Sequence, residues 1–209
     1  KKCLILDLDN TLWGGILGED GIAGIKIGGD YPGNVFQMFQ EYLLDLYNKG
    51  VMLAVCSKNN EGDVIEAWDK NPNVILKQEH FVAWEINWNN KAENIEKLSQ
   101  KLNIGLDSFV FIDDNPTERE LVKQMLPMVE VPDFPNQPYN IPVLMQTISR
   151  YFYTFKITNE DKQKTQQYKD NVKRESLKSS FKSYDDYLRS LSIKVEIQEL
   201  NEFNRNRIA

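Results

Sequence analysis

The sequence predicts an α/β protein built on a doubly wound parallel sheet, and three observations lead to this fold class. Short apolar runs alternate along the chain with longer segments whose apolar residues recur at helical spacing. With 41% hydrophobic and 11% aromatic residues, the 209-residue chain can fill a sizeable core. Unusual polar residues follow the ends of the apolar runs, and parallel α/β sheets bind their ligands at that edge.

The apolar runs predict four buried strands and a short fifth one. The strands cover residues 3–8, 51–56, 73–77, 108–113 and 129–131. The helical segments lie between them, at residues 34–49, 61–70, 91–103 and 116–126. Gly50 is a stop signal for the first of these helices, because glycine adopts the left-handed conformation that ends a helix. Strand–helix alternation of this kind favours parallel strands joined by helices.

The chain is predicted to divide into three parts. These are a core at 1–142, a helical extension at 143–191 and the start of a truncated further domain at 192–209. Four of the eight prolines lie within residues 132–142, which we interpret as a wrap-around connection. The abrupt beginning and end of the sequence predict a piece of a longer polypeptide.

Charge and cysteine content exclude several classes of protein. The net charge of −6 argues against a nucleic-acid or anionic-membrane surface. Residues 1–149 carry 12 Lys+Arg against 22 Asp+Glu, or −10, and the remainder carries 13 against 9, or +4. Cys3 and Cys56 lie in apolar runs and predict reduced core thiols in a cytoplasmic protein. No run is as long as a membrane span, and no signal peptide precedes the first strand.

Polar residues suited to an anion and a cation follow the ends of the predicted elements. They are Asp7, Asp9 and Thr11 after the first strand, Ser57 after the second, Lys91 at the third helix, and Asp113 and Asp114 after 108–113. Clustered carboxylates are costly unless a cation binds among them. Ligand sets made only of oxygen favour Mg²⁺, and a hydroxyl and a lysine opposite would receive an anion.

Four motifs in this order resemble those of the haloacid dehalogenase (HAD) superfamily. They are "DLDNT", the serine of "CSKN", the lysine of "NNKAEN", and "DDNPTE". This resemblance covers about residues 1–135. A closer resemblance, over nearly the whole chain, is to the cap-less FkbH-like branch, through "LDLDNTLWGGILGEDG", "LAVCSKN", "NIGLDSFVFIDDNPTERELV" and "YLRSLSIKVEI".

The resemblance implies a Rossmann-like phosphoryl-transfer enzyme, often followed by an acetyltransferase-like domain. Residues 192–209 would be only the start of that domain. Some FkbH-like members are implied to take a glyceryl group from 1,3-bisphosphoglycerate, to release phosphate and to load an acyl carrier protein. The implied partners are therefore a phosphorylated small molecule or acyl phosphate and an acyl carrier protein. The implied cofactor is Mg²⁺.

The superfamily mechanism implies a role for each carboxylate. Asp7 would be the nucleophile that forms an aspartyl-phosphate, and Asp9 would be the general acid and then the base. The presence of Asp9 favours phosphoryl chemistry over dehalogenation. Mg²⁺ would be held by Asp7, the backbone carbonyl of Asp9 and Asp114, with Asp113 as the alternative direct ligand or a neighbouring group.

The other site residues would hold the phosphoryl group or support the site. Thr11, Ser57 and Lys91 would bind the phosphoryl oxygens, with Lys58 as the alternative to Lys91. Asn59 and Asn115 would lie around the site, and Glu118 would hold a metal-bound water. Cys56 is considered as an acyl acceptor, although a packed thiol is favoured. His80, Trp84 and Trp88 are interpreted as packing or surface residues.

The spacing of the motifs predicts an open site. Seven of the eleven glycines lie between Gly14 and Gly29 and suit the mobile flap that the resemblance implies, with Trp13 beside the substrate or fastening the flap. The intervals between the motifs leave no room for a separate cap. An open site suits a macromolecular substrate, or the segment 143–191 as a lid. Basic residues at 162–182 would contact an acidic carrier or form a solvated face.

Two other classes of protein compete with an enzyme. A receiver-type phosphoacceptor also uses Asp, Thr/Ser, Lys and an acidic pair, but it carries the acidic pair after the first strand. In this sequence the pair comes last, which disfavours a receiver. A non-catalytic scaffold that kept the fold is the third class, and all four motifs being complete argues against it.

Overall fold

A four-stranded parallel sheet forms the centre of the computed structural model, which describes residues 1–152, 166–172 and 174. The strands are β1 (Cys3–Leu6), β2 (Met52–Ser57), β3 (Phe81–Ile86) and β4 (Phe109–Ile112). Their order across the sheet is β3-β2-β1-β4. The chain winds outward from β1 to β3 and then returns to the far side of β1 for β4. The predicted doubly wound α/β fold is therefore confirmed.

Helices cover both faces of this sheet. They are α1 (Leu17–Gly24), α2 (Gly33–Asn48), α3 (Glu61–Lys70), α4 (Lys91–Leu102), α5 (Pro116–Met125) and α6 (Ile141–Tyr151). Residues 166–172 are also helical. The bounds of α2 to α5 agree with the predicted helices to within one residue at either end. None of the helices in the described residues has the length and apolarity that crossing a bilayer requires.

The core is divided into two layers by the alternation of side chains along the strands. Leu4 and Leu6 of β1 belong to one buried cluster, and Cys3 and Ile5 belong to the other. Helices α2, α3 and α6 cover the first cluster, and α4 and α5 cover the second. Each strand is apolar on both faces because both faces are covered, which explains the near-continuous apolar runs in the sequence.

The predicted third strand at 73–77 is wrong, because the third strand of the sheet is Phe81–Ile86. Val74 and Leu76 lie in an irregular segment, and both side chains are buried in the core. Buried apolar residues at this spacing give the same sequence pattern as a short buried strand. The backbone N–H groups of Ile75 and Leu76 donate to Oε1 of the buried Gln40, at 2.9 and 3.0 Å. These N–H groups are satisfied by a side chain of α2 and not by a neighbouring strand.

The predicted fifth strand at 129–131 is reduced to a single bridge beside β4. Phe111 N donates to Glu130 O at 2.8 Å, and Glu130 N donates to Phe109 O at 3.2 Å. Pro132 follows at once and has no backbone N–H to continue a ladder. The segment therefore lies along the sheet edge without adding a full strand.

A glycine-rich flap connects β1 to α2. Gly14 and Lys26 exchange backbone hydrogen bonds at 2.9 and 2.7 Å, and the unpredicted helix α1 lies between them. Gly15 and Gly21 have φ of +94° and +68°, which side chains other than glycine rarely adopt. Within the described residues, neither this connection nor the one from β2 to α4 contains a separate cap domain.

The C-terminal predictions are only partly covered by the described residues. Helix α6 packs on α2, where the Tyr42 hydroxyl donates to the carbonyl of Met145 at 2.9 Å. Most of the predicted extension at 143–191 lies outside the described residues, as does the whole predicted domain start at 192–209. The division at residue 142 stays a prediction.

Candidate active site

The register of β1 against β4 places the first and last motifs side by side. Leu6 pairs with Ile112, so Asp7 and Asp113 are the next residues on two adjacent parallel strands. The Asp7 N–H donates to the Ile112 carbonyl at 2.9 Å, which extends the ladder to the site itself. The strand order reverses between β1 and β4, at the position where open α/β sheets bind ligands.

One buried lysine connects these carboxylates. Lys91 Nζ lies 3.0 Å from Asp7 Oδ1 and 2.5 Å from Asp113 Oδ2. Burial alone would lower the pKa of Lys91, but the carboxylates of Asp7 and Asp113 outweigh it and raise that pKa above its ordinary value. Lys58, the alternative considered from the sequence, pairs with Glu118 at 2.6 Å. The lysine in contact with Asp7 is thus Lys91.

The two aspartates of the fourth motif have different surroundings. Asp113 is fully buried, and its oxygens accept from Lys91 Nζ and, at 2.8 Å, from Asn115 N. Asp114 is less buried, and its carboxylate accepts no hydrogen bond from another residue in the described part of the chain. Burial and then the charge of Asp7 raise the pKa of Asp113 to about 7 and that of Asp114 to about 6.

The carboxylates form a group able to hold a metal ion. Asp7, Asp113 and Asp114 each offer an oxygen, and these three oxygens lie within 4.8 Å of one another. Three carboxylates share the single ammonium of Lys91, and burial and then the charge of Asp7 raise the pKa values of Asp113 and Asp114. Carboxylate oxygens suit a hard divalent cation, so both the donor set and its charge fit Mg²⁺. The ligation by the Asp9 carbonyl stays a prediction.

Asp9 is held in place by three N–H donors. Its Oδ1 accepts from Trp13 Nε1 at 2.9 Å and from Leu17 N at 3.0 Å, and its Oδ2 accepts from Asn59 Nδ2 at 3.0 Å. The buried Trp13 is therefore fastened to the second aspartate of the first motif. The flap and the loop after β2 together orient this carboxylate.

The two hydroxyl residues lie at the same edge of the sheet. Ser57 is buried, and its Oγ lies 3.3 Å from Asn59 Nδ2. Thr11 is also buried, and its Oγ1 accepts from the backbone N–H of Asp114 at 3.1 Å. That bond braces the first motif against the fourth and leaves the Thr11 hydroxyl proton able to donate.

The beginning of α5 supports the acidic pair. Asn115 caps the helix, since its Oδ1 accepts from Thr117 N at 2.9 Å. Glu118 pairs with Lys58 through one oxygen, while its buried Oε2 has no partner among the described residues. Arg119, which the sequence analysis missed, donates from Nη1 to the carbonyls of Asp113 and Asp114 at 2.9 and 2.7 Å.

A sequence signal for Arg119 did exist. Arg119 lies in the first turns of α5, where a cation interacts unfavourably with the helix dipole. Lys91 at the beginning of α4 is unfavourable for the same reason. Gln40 was missed as well, and its long-range bonds to Leu12, Ile75 and Leu76 leave no local pattern.

Cys56 and His80 lie in packed positions. Cys56 is fully buried, its Sγ is 3.7 Å from the Lys91 carbonyl, and burial raises the pKa of its thiol. A thiol in this state is a poor nucleophile. His80 accepts from Lys77 N at 2.9 Å and meets the edge of the Tyr47 ring, and burial lowers its pKa.

Comparison with known proteins identifies the family. Residues 2–152 match the NLI interacting factor-like phosphatase family. A similar crystal structure is the N-terminal part of a Bacteroides fragilis protein, containing a phosphatase domain complexed with Mg. The two are 46% identical with a TM-score of 0.71, over 74% of this chain and 41% of that one. The match thus spans less than half of that chain, and no curated protein matches.

These findings confirm the superfamily expected from the four motifs and leave the FkbH-like branch a prediction. The matched residues include β1 to β4 and every candidate site residue described above. The chain belongs to the NLI interacting factor-like phosphatase family, within the HAD-like superfamily.

Proposed function

We propose that the chain is a Mg²⁺-dependent phosphohydrolase in which Asp7 accepts the phosphoryl group before water releases it. The observation that carries this proposal is the contact of Lys91 with both Asp7 and Asp113, beside Asp114, at one edge of the sheet. The Mg bound to the similar Bacteroides fragilis phosphatase domain supports the choice of metal.

Asp7 and Asp114 are the proposed carboxylate ligands of Mg²⁺, together with the backbone carbonyl of Asp9. Asp114 is preferred to Asp113 because both oxygens of Asp113 already accept hydrogen bonds. When bound, the cation supplies positive charge that offsets the repulsion between a carboxylate and a phosphate dianion. Asp113 then positions Lys91, and Glu118 offers to a water its Oε2, which has no partner among the residues that the structure describes.

Asp7 and Asp9 carry out the bond changes. A carboxylate oxygen of Asp7 attacks phosphorus while the bond from phosphorus to the leaving oxygen breaks, and Asp9 gives that oxygen a proton. Asp9 then takes a proton from the water that attacks the aspartyl-phosphate, which restores Asp7 and releases inorganic phosphate. The donors from Trp13, Leu17 and Asn59 hold the Asp9 carboxyl in one orientation.

Thr11, Ser57 and Lys91 are the proposed holders of the phosphoryl oxygens. All three are buried at the same edge, where their O–H and N–H donors act in a medium of low dielectric constant. Asn59 joins this set through its Nδ2, which lies between Ser57 Oγ and Asp9 Oδ2.

The finer proposal concerns the substrate. We propose an acyl phosphate such as 1,3-bisphosphoglycerate, with the glyceryl group passing to an acyl carrier protein. Its supports are the FkbH-like resemblance and the lack of a cap domain over the site in the described residues. The accepting thiol would belong to the carrier, since Cys56 is buried. It would attack the acyl carbon while the bond from that carbon to the phosphate oxygen breaks, which forms the thioester and releases inorganic phosphate. Without a carrier, Asp7 would attack phosphorus and the free acid would leave. Two buried free thiols also suit the proposed cytoplasmic location.

Phosphate release tests the proposed function. The chain, Asp7→Asn and the matched control Asp133→Asn would be assayed with Mg²⁺ and with EDTA against aryl, sugar and acyl phosphates. We expect release by the wild type and the control and a loss of at least about 100-fold in Asp7→Asn, because the nucleophile is removed. Release that persists in Asp7→Asn would overturn the assigned nucleophile.

The same panel tests the finer proposal. A clear preference in kcat/KM for acyl phosphates supports it, whereas equal or better turnover of aryl and sugar phosphates contradicts it. If no substrate yields phosphate, the phosphohydrolase proposal itself fails.

A further inference from the structure

The carboxylate of Asp114 is oriented by its own backbone. The residue lies beyond Ile112, where β4 ends, so the sheet ladder does not reach it. Among the described residues, no other residue donates a hydrogen bond to this carboxylate. Asp7 differs, because its N–H bonds to Ile112 and its side chain contacts Lys91. Whatever orients Asp114 therefore acts on the backbone around it.

Arg119 binds the two carbonyl groups that flank the Cα atom of Asp114. Its Nη1 donates to the carbonyls of Asp113 and Asp114 at 2.9 and 2.7 Å. This nitrogen has an N–H for each carbonyl. Asp114 N donates in turn to Thr11 Oγ1 at 3.1 Å. The peptide groups before and after Asp114 are thus both held by side chains, which restricts the direction of its carboxylate.

The helix itself cannot take over these carbonyls. Both lie before Asn115, the N-cap of α5, whose own carbonyl accepts the first helical bond from Arg119 N at 3.1 Å. Asp113 is fully buried, and buried carbonyl groups almost always have a partner. In the part of the chain that the structure describes, that partner is the Arg119 guanidinium.

The charge of Arg119 is unfavourable at this position. A cation in the first turns of α5 opposes the helix dipole. Positive charge close to a cation site also repels the cation. A residue that breaks local rules in this way commonly has a functional reason, and here the reason is the pair of bonds to the carbonyls.

We propose that Arg119 is a positioning residue that fixes the Asp114 carboxylate in the direction that the divalent cation requires. In this role it contributes no ligand and acts through the backbone of Asp114. Groups that orient a metal ligand strengthen metal binding about 10- to 100-fold. This inference rests on the proposed function, because it takes Asp114 as a Mg²⁺ ligand, and deepens it by naming what orients that ligand.

Isothermal titration calorimetry with Mg²⁺ and without substrate tests this role. The wild type would be compared with Arg119→Met and with the control Lys123→Met, which removes an exposed cation from the same helix. We expect Arg119→Met to raise the Kd for Mg²⁺ at least about tenfold, and Lys123→Met to leave it within about twofold. Repulsion alone predicts the opposite sign, because loss of the guanidinium charge would lower the Kd. An unchanged or lowered Kd in Arg119→Met overturns the inference.

A double-mutant cycle shows whether Arg119 acts through Asp114. Arg119→Met would be combined with Asp114→Asn, and we expect it to change the Kd less than about twofold in that background. A further loss of about tenfold there would overturn the inference, because the arginine would then act on another part of the site. Arg119→Gln, which is also neutral but shorter and polar, repeats both measurements if melting in EDTA shows that Arg119→Met does not fold.

Phosphate release by the same variants separates this inference from the proposed function. If the Kd values follow the expected pattern but the wild type releases no phosphate, the phosphohydrolase proposal fails alone. If the wild type releases phosphate and Arg119→Met binds Mg²⁺ as tightly as the wild type does, the positioning role fails alone.

Discussion

At the scale of single residues, one ammonium group stabilises a cluster of buried carboxylates. Lys91 is buried and contacts Asp7 and Asp113, whereas the Lys58–Glu118 pair lies partly in solvent. Removing one partner of a buried ion pair leaves uncompensated charge and costs about 3–5 kcal/mol. Partly exposed pairs contribute about 1 kcal/mol or less. Replacing Lys91 should therefore lower the stability and the activity of the protein more than replacing Lys58.

We predict that Lys91→Met lowers the free energy of unfolding by about 3 kcal/mol or more at pH 8 in EDTA. Lys58→Met, the matched control, should change it by about 1 kcal/mol or less. Urea unfolding measures both. In phosphate release, Lys91→Met should lose at least about 100-fold in kcat, because the proposed phosphoryl ligand is missing. A larger loss of kcat in Lys58→Met than in Lys91→Met would assign the phosphoryl-binding role to Lys58.

At the scale of elements, α2 organises the connections on both sides of it. Gln40 in α2 is fully buried, and its Nε2 donates to the Leu12 carbonyl at 2.8 Å. Its Oε1 accepts from Ile75 and Leu76. One side chain thus satisfies three backbone groups, from the start of the flap and from the irregular segment before β3. A buried backbone group that loses its partner costs about 1–3 kcal/mol.

We predict that Gln40→Leu lowers the free energy of unfolding by about 3 kcal/mol or more, because three backbone groups lose their partner together. Gln37→Leu makes the same change in the same helix at a half-buried position, and it should cost under about 1 kcal/mol. Chemical denaturation of the two variants measures the difference. Equal stabilities would show that the Gln40 bonds contribute little.

At the scale of the whole molecule, the acidic site couples folding to a cation. Burial and the charge of Asp7 raise the pKa of Asp114 to about 6, so its ionised form is disfavoured in the fold. At pH 8 the Asp114 carboxylate is ionised. Its buried charge therefore lowers the stability of the fold unless positive charge offsets it. A ligand that binds only the folded state adds stability, about 2.7 kcal/mol at 100 times its Kd.

We predict that Mg²⁺ raises the melting temperature of the wild type at pH 8 and that EDTA reverses the rise. Asp114→Asn should melt above the wild type in EDTA, because a repelled carboxylate is gone, and should gain little from Mg²⁺. Asp133→Asn, an exposed control, should behave as the wild type does. Calorimetry measures all three. A full Mg²⁺ response in Asp114→Asn would transfer the ligand role to Asp113.

The predictions from sequence were accurate where the determinants are local and wrong where they are not. Helices α2 to α5 were predicted closely because their apolar spacing and end signals lie within each segment. The segment 73–77 was mistaken for a strand because its buried Val74 and Leu76 imitate one, while Gln40, more than thirty residues earlier, takes its N–H groups. Helix α1 was missed because glycine disfavours a helical prediction.

The sequence by itself determined the fold class, the order of the four motifs and the oxygen-rich chemistry at the strand ends. These follow from residue type and spacing, which the chain carries locally. Only the tertiary structure decided that Lys91 contacts Asp7, and that the carboxylate of Asp114 accepts no hydrogen bond from another residue in the described part of the chain. Such choices depend on strand register and on contacts between residues far apart in sequence, and no local pattern encodes them.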